Sequence, residues 1–433
     1  MTTWHEHAIF WHVYPLGALG AEPVLEDGAP VTHRLPRLVE WLDYAVELGV
    51  SGLLLGPVFT SRSHGYDTID HFEVDPRLGD RADLDALLAA AHDRGLKVVL
   101  DGVFNHVGSQ HPLFLRALEG GPTAPEAALF RLTWPDGGGE PVHESFEGHE
   151  ALVALDHDDD GVAELVTEVM DHWLRAGFDG WRLDAAYAVP LPFWQRVLPG
   201  VRAAHPEAYL LGEVIHGDYA GFVAGSGVDS VTQYELWKAI WSALNDTNLY
   251  ELDHALTRHG EMLGTFAPQT FVGNHDVTRI ATRLTDRRHL AHALVVLLTV
   301  GGTPSIYYGD EQAFEGLKEE RLGGDDAIRP ALPQRPADLA PYGWETYHLH
   351  QELIALRRRH PWLHRARTAG LALSNEVLAY EARDGENRLV VVLNISDEPA
   401  EVPAAGAVVA GHAEAAGEAG TRVPAHGWAV LEP

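Results

Sequence analysis

The stretch AELVTEVMDHWLRAGFDGWRLD, residues 163–184, reads as one helix followed by one buried strand. Apolar residues recur with helical spacing up to Ala176, and Gly177 stands where a helix closes with a left-handed residue. Residues 180–184 then form a short, mostly apolar run that ends on Asp184. The same unit repeats on both sides. Helical patterns at 38–48 and 84–94 end at Gly49 and Gly95, and strand-like runs fall at 9–14, 52–55, 97–101, 209–213, 228–231, 269–273 and 305–308. Eight short strands separated by helices over about 310 residues predict a (β/α)8 barrel. A doubly wound open sheet is the competing arrangement, but no glycine-rich nucleotide loop is present to support it.

Two regions break the rhythm. Between Asn105 and Asp156 the chain carries Gly120-Gly121-Pro122 and Gly137-Gly138-Gly139 with little periodicity, too long for a simple turn. It is expected to be a subdomain inserted after the third strand. Beyond a helix at 347–359 and the break at His360-Pro361, alternation at 376–382, 388–394 and 427–431 predicts a C-terminal antiparallel β-sandwich, with 404–420 as loop. The expected domains are therefore 1–104 and 157–361 for the barrel, 105–156 for the insertion and 362–433 for the sandwich.

Composition narrows the partners. The 433 residues hold 31 Lys+Arg against 63 Asp+Glu, a net charge of -32, with only three lysines (Lys97, Lys238 and Lys318). Such a surface disfavours nucleic acid and anionic membranes, whereas a neutral substrate meets no penalty. There is no cysteine, hence no disulfide and no thiolate metal site. The N-terminal MTTWHEHAIFWHVYPLG lacks the basic and apolar regions of a signal peptide, and no apolar run approaches membrane-spanning length. A cytoplasmic protein is the expectation.

Four strand ends carry polar residues that a packed core does not need: DGVFNH (101–106), GWRLDAAY (180–187), LLGEVIH (210–216) and VGNHD (272–276). In a parallel barrel all strand C-termini open on one face, so these distant motifs converge. With HGYDTIDHFEVDPRLG (64–79), GTPSIYYGDE (302–311) and LIALRRRHPWL (353–363), they resemble the signature regions of the α-amylase family, glycoside hydrolase family 13, in the same order and over nearly the whole chain.

That resemblance implies a retaining glycosidase that works with two carboxyl groups. It makes Asp184 the nucleophile, Glu213 the acid/base and Asp276 a third carboxylate that grips the distorted sugar. His106 and His275 correspond to histidines that bond sugar hydroxyls. Tyr66 corresponds to an aromatic that stacks on the ring, with Asp67 beside it, and Asp325 and Arg329 to a pair holding the preceding glucose unit. Arg182, two residues before Asp184 on a strand, points to the same face and is expected to keep that carboxylate ionised. Glu213 requires the opposite treatment.

Two departures refine the resemblance. Many α-amylases follow the nucleophile motif with Lys-His, where this chain has Tyr187-Ala188. Asn105 matches one calcium ligand of the family, but one oxygen is far from the six to eight that calcium prefers. The acidic run 156–160 reads better as a solvated surface. No cofactor and no obligatory calcium are therefore expected. The first strand begins by residue 9, without the preceding β-sandwich of many cyclomaltodextrinases and neopullulanases, although the motifs look closest to that group. A resemblance to cyclic maltosyl-maltose hydrolases follows. The implied substrate is a cyclic or short maltooligosaccharide joined by α-1,4 bonds, with α-1,6 bonds left open, and the protein is a monomer or homodimer. A transglycosidase or isomerase using the same carboxylates, and an inactive binding homologue, are the alternatives.

Overall fold

The computed structural model describes residues 3–136, 139–321, 323–417 and 420–433. The expected glycine cue at Gly137-Gly138 lies outside the described residues. Eight parallel strands form the central sheet: β1 (Phe10–Val13), β2 (Gly52–Leu55), β3 (Lys97–Val103), β4 (Gly180–Asp184), β5 (Tyr209–Gly212), β6 (Ser230–Val231), β7 (Gln269–Phe271) and β8 (Thr303–Tyr307). They pair in chain order, β8 returns to β1, and a parallel bridge between Thr232 and Gln269 joins the β6 and β7 edges. The sheet is thus closed into a barrel.

Alternation along the strands builds two packed layers. Phe10, Leu54, Val99 and Leu211 meet inside the barrel, while Trp11, Leu53, Leu55, Val98, Leu100, Trp181 and Leu210 face the helices. The helix Asp160–Arg175 begins three residues before the expected start because the Asp159 carboxylate accepts from the Gly161 amide and caps it. Part of the acidic run is thereby a helix N-cap, placed where the helix dipole favours negative charge. The pattern expected as one helix at 38–48 is two pieces, Leu35–Val39 and Leu42–Leu48, the second closed by Gly49 at φ 100°.

The connection after β3 contains a helix, Pro112–Gly120, and a ladder in which His106–Gly108 pairs antiparallel with Leu152–Ala154. That ladder returns the chain beside β3, so the insertion stands over the C-terminal end of the barrel.

The C-terminal unit consists of β9 (Arg367–Leu373), β10 (Val377–Asp384), β11 (Asn387–Asn394), β12 (Ala400–Val402), β13 (Ala407–Gly411), β14 (Glu414–Ala416), β15 (Gly420–Val423) and β16 (Trp428–Glu432). Five of these form one antiparallel sheet and β12, β15 and β14 form another. Ala379, Val390, Val392, Val402, Val423 and Leu431 pack between the two sheets. Leu378, Tyr380, Val391 and Leu393, one step out of phase, pack towards the barrel. The loop expected at 404–420 is corrected: it holds β13 and β14, which pair through their backbones although Ala and Gly are weak strand formers. Glu418 and Ala419 of that segment lie outside the described residues.

Candidate active site

Register places the first charges. Arg182 on β4 lies directly opposite Asp101 on β3, and both are buried. Arg182 Nη1 donates to both Asp101 oxygens at 2.8 and 2.7 Å and to Asp184 Oδ1 at 3.2 Å. Its Nη2 lies 2.6 Å from Glu213 Oε1. One guanidinium therefore gathers three carboxylates from three adjacent strand ends.

Glu213 continues β5 past its last paired residue, its amide donating to the Leu183 carbonyl at 2.9 Å. Its Oε2 accepts from the Ala185 amide at 3.0 Å and its Oε1 from the Tyr234 hydroxyl at 3.2 Å. Ala185 has φ 44° and ψ 37°, a left-handed conformation that costs an alanine ~1 kcal/mol or more. The strain aims the amide behind Asp184 at Glu213. Tyr234 in turn accepts from Asn274 Nδ2 at 2.9 Å, so the acid/base candidate is held from three sides.

Asp276 forms the opposite wall. Its Oδ1 accepts from Arg329 Nη2 at 3.0 Å and its Oδ2 lies 2.9 Å from His275 Nε2. Arg329 also pairs with Asp325 at 3.1 Å and lies over the Tyr14 ring at 4.6 Å. Tyr66 donates to Asp101 Oδ2 at 3.1 Å, also contacts His275 Nε2, and stacks on the His275 ring with centroids 5.3 Å apart.

The electrostatics divide the carboxyls. Burial and the neighbouring Glu213 charge push Asp184 well above the ordinary carboxylate range, and Arg182 only partly opposes them. The expectation that Arg182 keeps Asp184 ionised thus meets a different geometry: the guanidinium spends its short contacts on Asp101 and Glu213. Asp276 goes the other way. Burial opposes its charge, but His275 and Arg329 outweigh burial and hold it well below the usual range.

Tyr66, Asp184, Glu213 and Asp276 line one cleft of about 290 Å³, together with Phe146, Glu147, Ala185, Tyr187, Ile215, Tyr234, Val277 and Lys318. A larger cavity of about 620 Å³ lies at the other end of the barrel, beside Tyr209, Ser230 and Thr303. It contains none of the strand-end motif residues, which gather in the smaller cleft.

The remaining expected residues sit behind the cleft wall. His275 is buried beneath Asp276. His106 donates from Nε2 to the Tyr66 carbonyl at 3.1 Å and accepts at Nδ1 from Asn105 at 3.2 Å, and burial pushes its pKa down to about 3. It is a neutral support for Tyr66 in this state. Asp67 accepts from the Ser63 amide and hydroxyl at 3.1 and 2.7 Å and does not line the cleft. Asn105 directs its amide Nδ2, not its Oδ1, at His106.

Sequence reading assigned no role to Asp101, although it opens a quoted motif and its register with Arg182 could have pointed to it. Tyr234 and Phe146 carry no local signal, whereas Tyr187 ends the motif at 180–187. The barrel and the insertion bring them to the cleft.

A closed parallel barrel with paired carboxylates at its strand C-termini defines a glycoside hydrolase. The alpha amylase catalytic-domain family pattern matches residues 35–350, and the chain belongs to that family. It is 30% identical to a cyclomaltodextrinase of Geobacillus thermopakistaniensis over 92% of this chain and 71% of that protein. It is 31% identical to a maltogenic alpha-amylase of Bacillus acidopullulyticus over 85% of this chain and 64% of that protein, so it spans about two thirds of these relatives' length. The debranching enzyme of Nostoc punctiforme superposes with a TM-score of 0.84 at 28% identity, covering all of both chains. Among the described residues, no helix is long and apolar enough to cross a membrane.

Proposed function

We propose that this chain is a retaining glycosidase that hydrolyses α-1,4-glucosidic bonds, and α-1,6 bonds where they occur, in cyclic or short maltooligosaccharides. The observation that carries the reading is the single Arg182 guanidinium that holds Asp184 and Glu213 together at the floor of one cleft, with Asp276 on its wall. The names of the relatives, cyclomaltodextrinase and maltogenic amylase, support the substrate class.

Burial and mutual repulsion hold one proton on the Asp184–Glu213 pair, and in the reaction that proton rides on Glu213: the Asp184 carboxylate attacks the anomeric carbon and forms the glycosyl ester while Glu213 gives the proton to the leaving oxygen. Glu213 then takes a proton from water, whose oxygen attacks the same carbon and frees Asp184. The ionised Asp276 accepts hydroxyl hydrogens of the distorted sugar and steadies the positive charge that develops on the ring. Tyr66 offers a ring face to the apolar side of the pyranose. Arg329, His275 and Asp325 keep Asp276 in place. Phe146 and Glu147 from the insertion and Tyr187 from the β4 loop narrow the cleft, which favours small rings and short chains over a bulky polymer.

Product chromatography over maltooligosaccharides, cyclodextrins, pullulan and starch tests this reading. The expected result is faster conversion of rings and short chains, giving glucose and maltose with the α configuration. Faster attack on starch, or products mainly longer than the substrate, would overturn the substrate class or the hydrolytic outcome respectively. Action in the cytoplasm by a monomer or homodimer is part of the same proposal, checked by cell fractionation and by mass in solution.

A further inference from the structure

The contact between the barrel and the C-terminal sandwich contains a polar cluster that the carbohydrate chemistry does not use. Asp286 and His289 lie in the turn before the helix Leu290–Thr299, and His426 lies in the loop that enters β16. One ligand atom from each of the three residues falls within 4.8 Å of the others. His289 Nε2 and His426 Nδ1 are 3.1 Å apart. Two imidazole nitrogens on one tetrahedral zinc ion, at ~2.0 Å each, stand ~3.3 Å apart. The two rings are therefore already spaced as a pair of ligands.

Proton accounting points the same way. Asp397 accepts from His426 Nε2 at 2.7 Å, which fixes the proton on that nitrogen and turns the Nδ1 lone pair towards His289. A carboxylate behind a histidine is the usual outer support of a metal ligand. His426 adopts φ 50°, left-handed backbone that is strained for a non-glycine residue, and its amide donates to the Ser396 carbonyl at 3.1 Å. His292, although adjacent, directs its Nε2 towards the Asn394 and Gly427 carbonyls and away from the cluster.

We propose that Asp286, His289 and His426 bind one divalent transition-metal ion of the zinc class, which fastens the sandwich to the barrel. Two imidazoles and one carboxylate leave a fourth position for water, a donor set that suits zinc and not the oxygen-rich shells of calcium or magnesium. On binding, the His289 ring changes tautomer: the Nε2 proton that lies between the rings passes to Nδ1, and the freed Nε2 lone pair takes the ion. Arg288 opposes the ion, because its guanidinium and amide donate to both Asp286 oxygens at 2.6 to 3.0 Å.

Zinc chloride titrated into the chelator-stripped full-length protein at neutral pH, followed by calorimetry and by Tm, tests the site. One ion per chain and a raised Tm are expected. His426→Gln and His289→Gln each abolish both effects without changing glycosidase activity measured in chelator. Asp397→Asn, at an exposed carboxylate, weakens binding ~10–100-fold. Arg288→Ala strengthens it. His33→Ala serves as the control, since His33, Asp80 and Asp83 form the other such group among the described residues. Absence of binding by the native chain, equal binding by the Asp397→Asn and native proteins, or loss of the effect in His33→Ala instead of His426→Gln would each overturn the proposal.

Discussion

At the level of single side chains, the cleft trades stability for chemistry, and the two outer carboxylates are on opposite sides of that trade. Asp184 binds its proton more tightly in the folded chain than in the unfolded one, so its contribution to stability is present at acid pH and lost as pH rises through its raised folded pKa. Asp184→Asn should therefore cut kcat by ~1000-fold or more while raising Tm at neutral pH, with the gain vanishing in acid. Asp276 is depressed, so its contribution is present above the unfolded carboxylate pKa and is lost as pH falls through the lower folded value. Asp276→Asn should lower both activity and Tm at neutral pH. Thermal scans of both variants across pH check the signs, and a Tm loss in Asp184→Asn at neutral pH would refute the assignment. Tyr234→Phe removes the hydroxyl that donates to Glu213 and leaves Asn274 Nδ2 without its acceptor. One lost hydrogen bond of ~1 kcal/mol predicts a fall in kcat/KM of roughly five- to tenfold with the product pattern unchanged. The charged members of this site were legible because strand ends in a parallel barrel expose them in recognisable motifs. Tyr234 was not, because it stands at the start of a helix whose aromatic residues look like core.

Elements carry the next layer of specificity. The insertion and the β4 loop meet at the cleft where Tyr187 donates to Glu147 Oε1 at 2.9 Å. Tyr187→Phe removes that tie, so KM for short chains should rise several-fold while starch turnover gains relative to cyclodextrin turnover, read as a ratio of initial rates. The helix Trp344–Arg359 does different work. Arg357 donates to the carbonyls of Leu298, Val300 and Gly302 at 3.1, 2.7 and 2.6 Å, which secures the chain just before β8. Leaving buried carbonyls without donors costs ~1–3 kcal/mol each, so Arg357→Leu should destabilise by at least ~3 kcal/mol in denaturant unfolding, with kcat of the surviving folded fraction unchanged. At this scale the barrel strands and the capped helices were readable from apolar periodicity and glycine stops. The strands β13 and β14 were not, because edge pairing through backbone groups leaves little mark on Ala- and Gly-rich residues. Asp67 shows the converse: it sits in a motif that reads as part of the site, yet the local turn uses its carboxylate to hold Ser63.

For the molecule as a whole, the excess of 63 acidic over 31 basic residues is fully visible in the sequence, but its consequence depends on where the charges fall. Many arginines are consumed in local pairs, such as Arg94 with Asp43 and Arg258 with Glu235, and the central ones are locked around the cleft. The remaining negative charge is a repulsive field over a compact body, which salt attenuates: the screening length falls from ~30 Å at 0.01 M to ~8 Å at 0.15 M. Exposed pairs are weak, at ~0–1 kcal/mol each, and lose strength over the same range. The long-range repulsion involves every unpaired carboxylate at once, so its relief should exceed the sum of the weakened pairs. Tm is therefore expected to rise between low and physiological ionic strength, whereas kcat/KM for an uncharged oligosaccharide should stay nearly constant, because no charge steers its approach. A Tm that falls with added salt would show that the surface pairs, not the net charge, dominate the electrostatics of this chain.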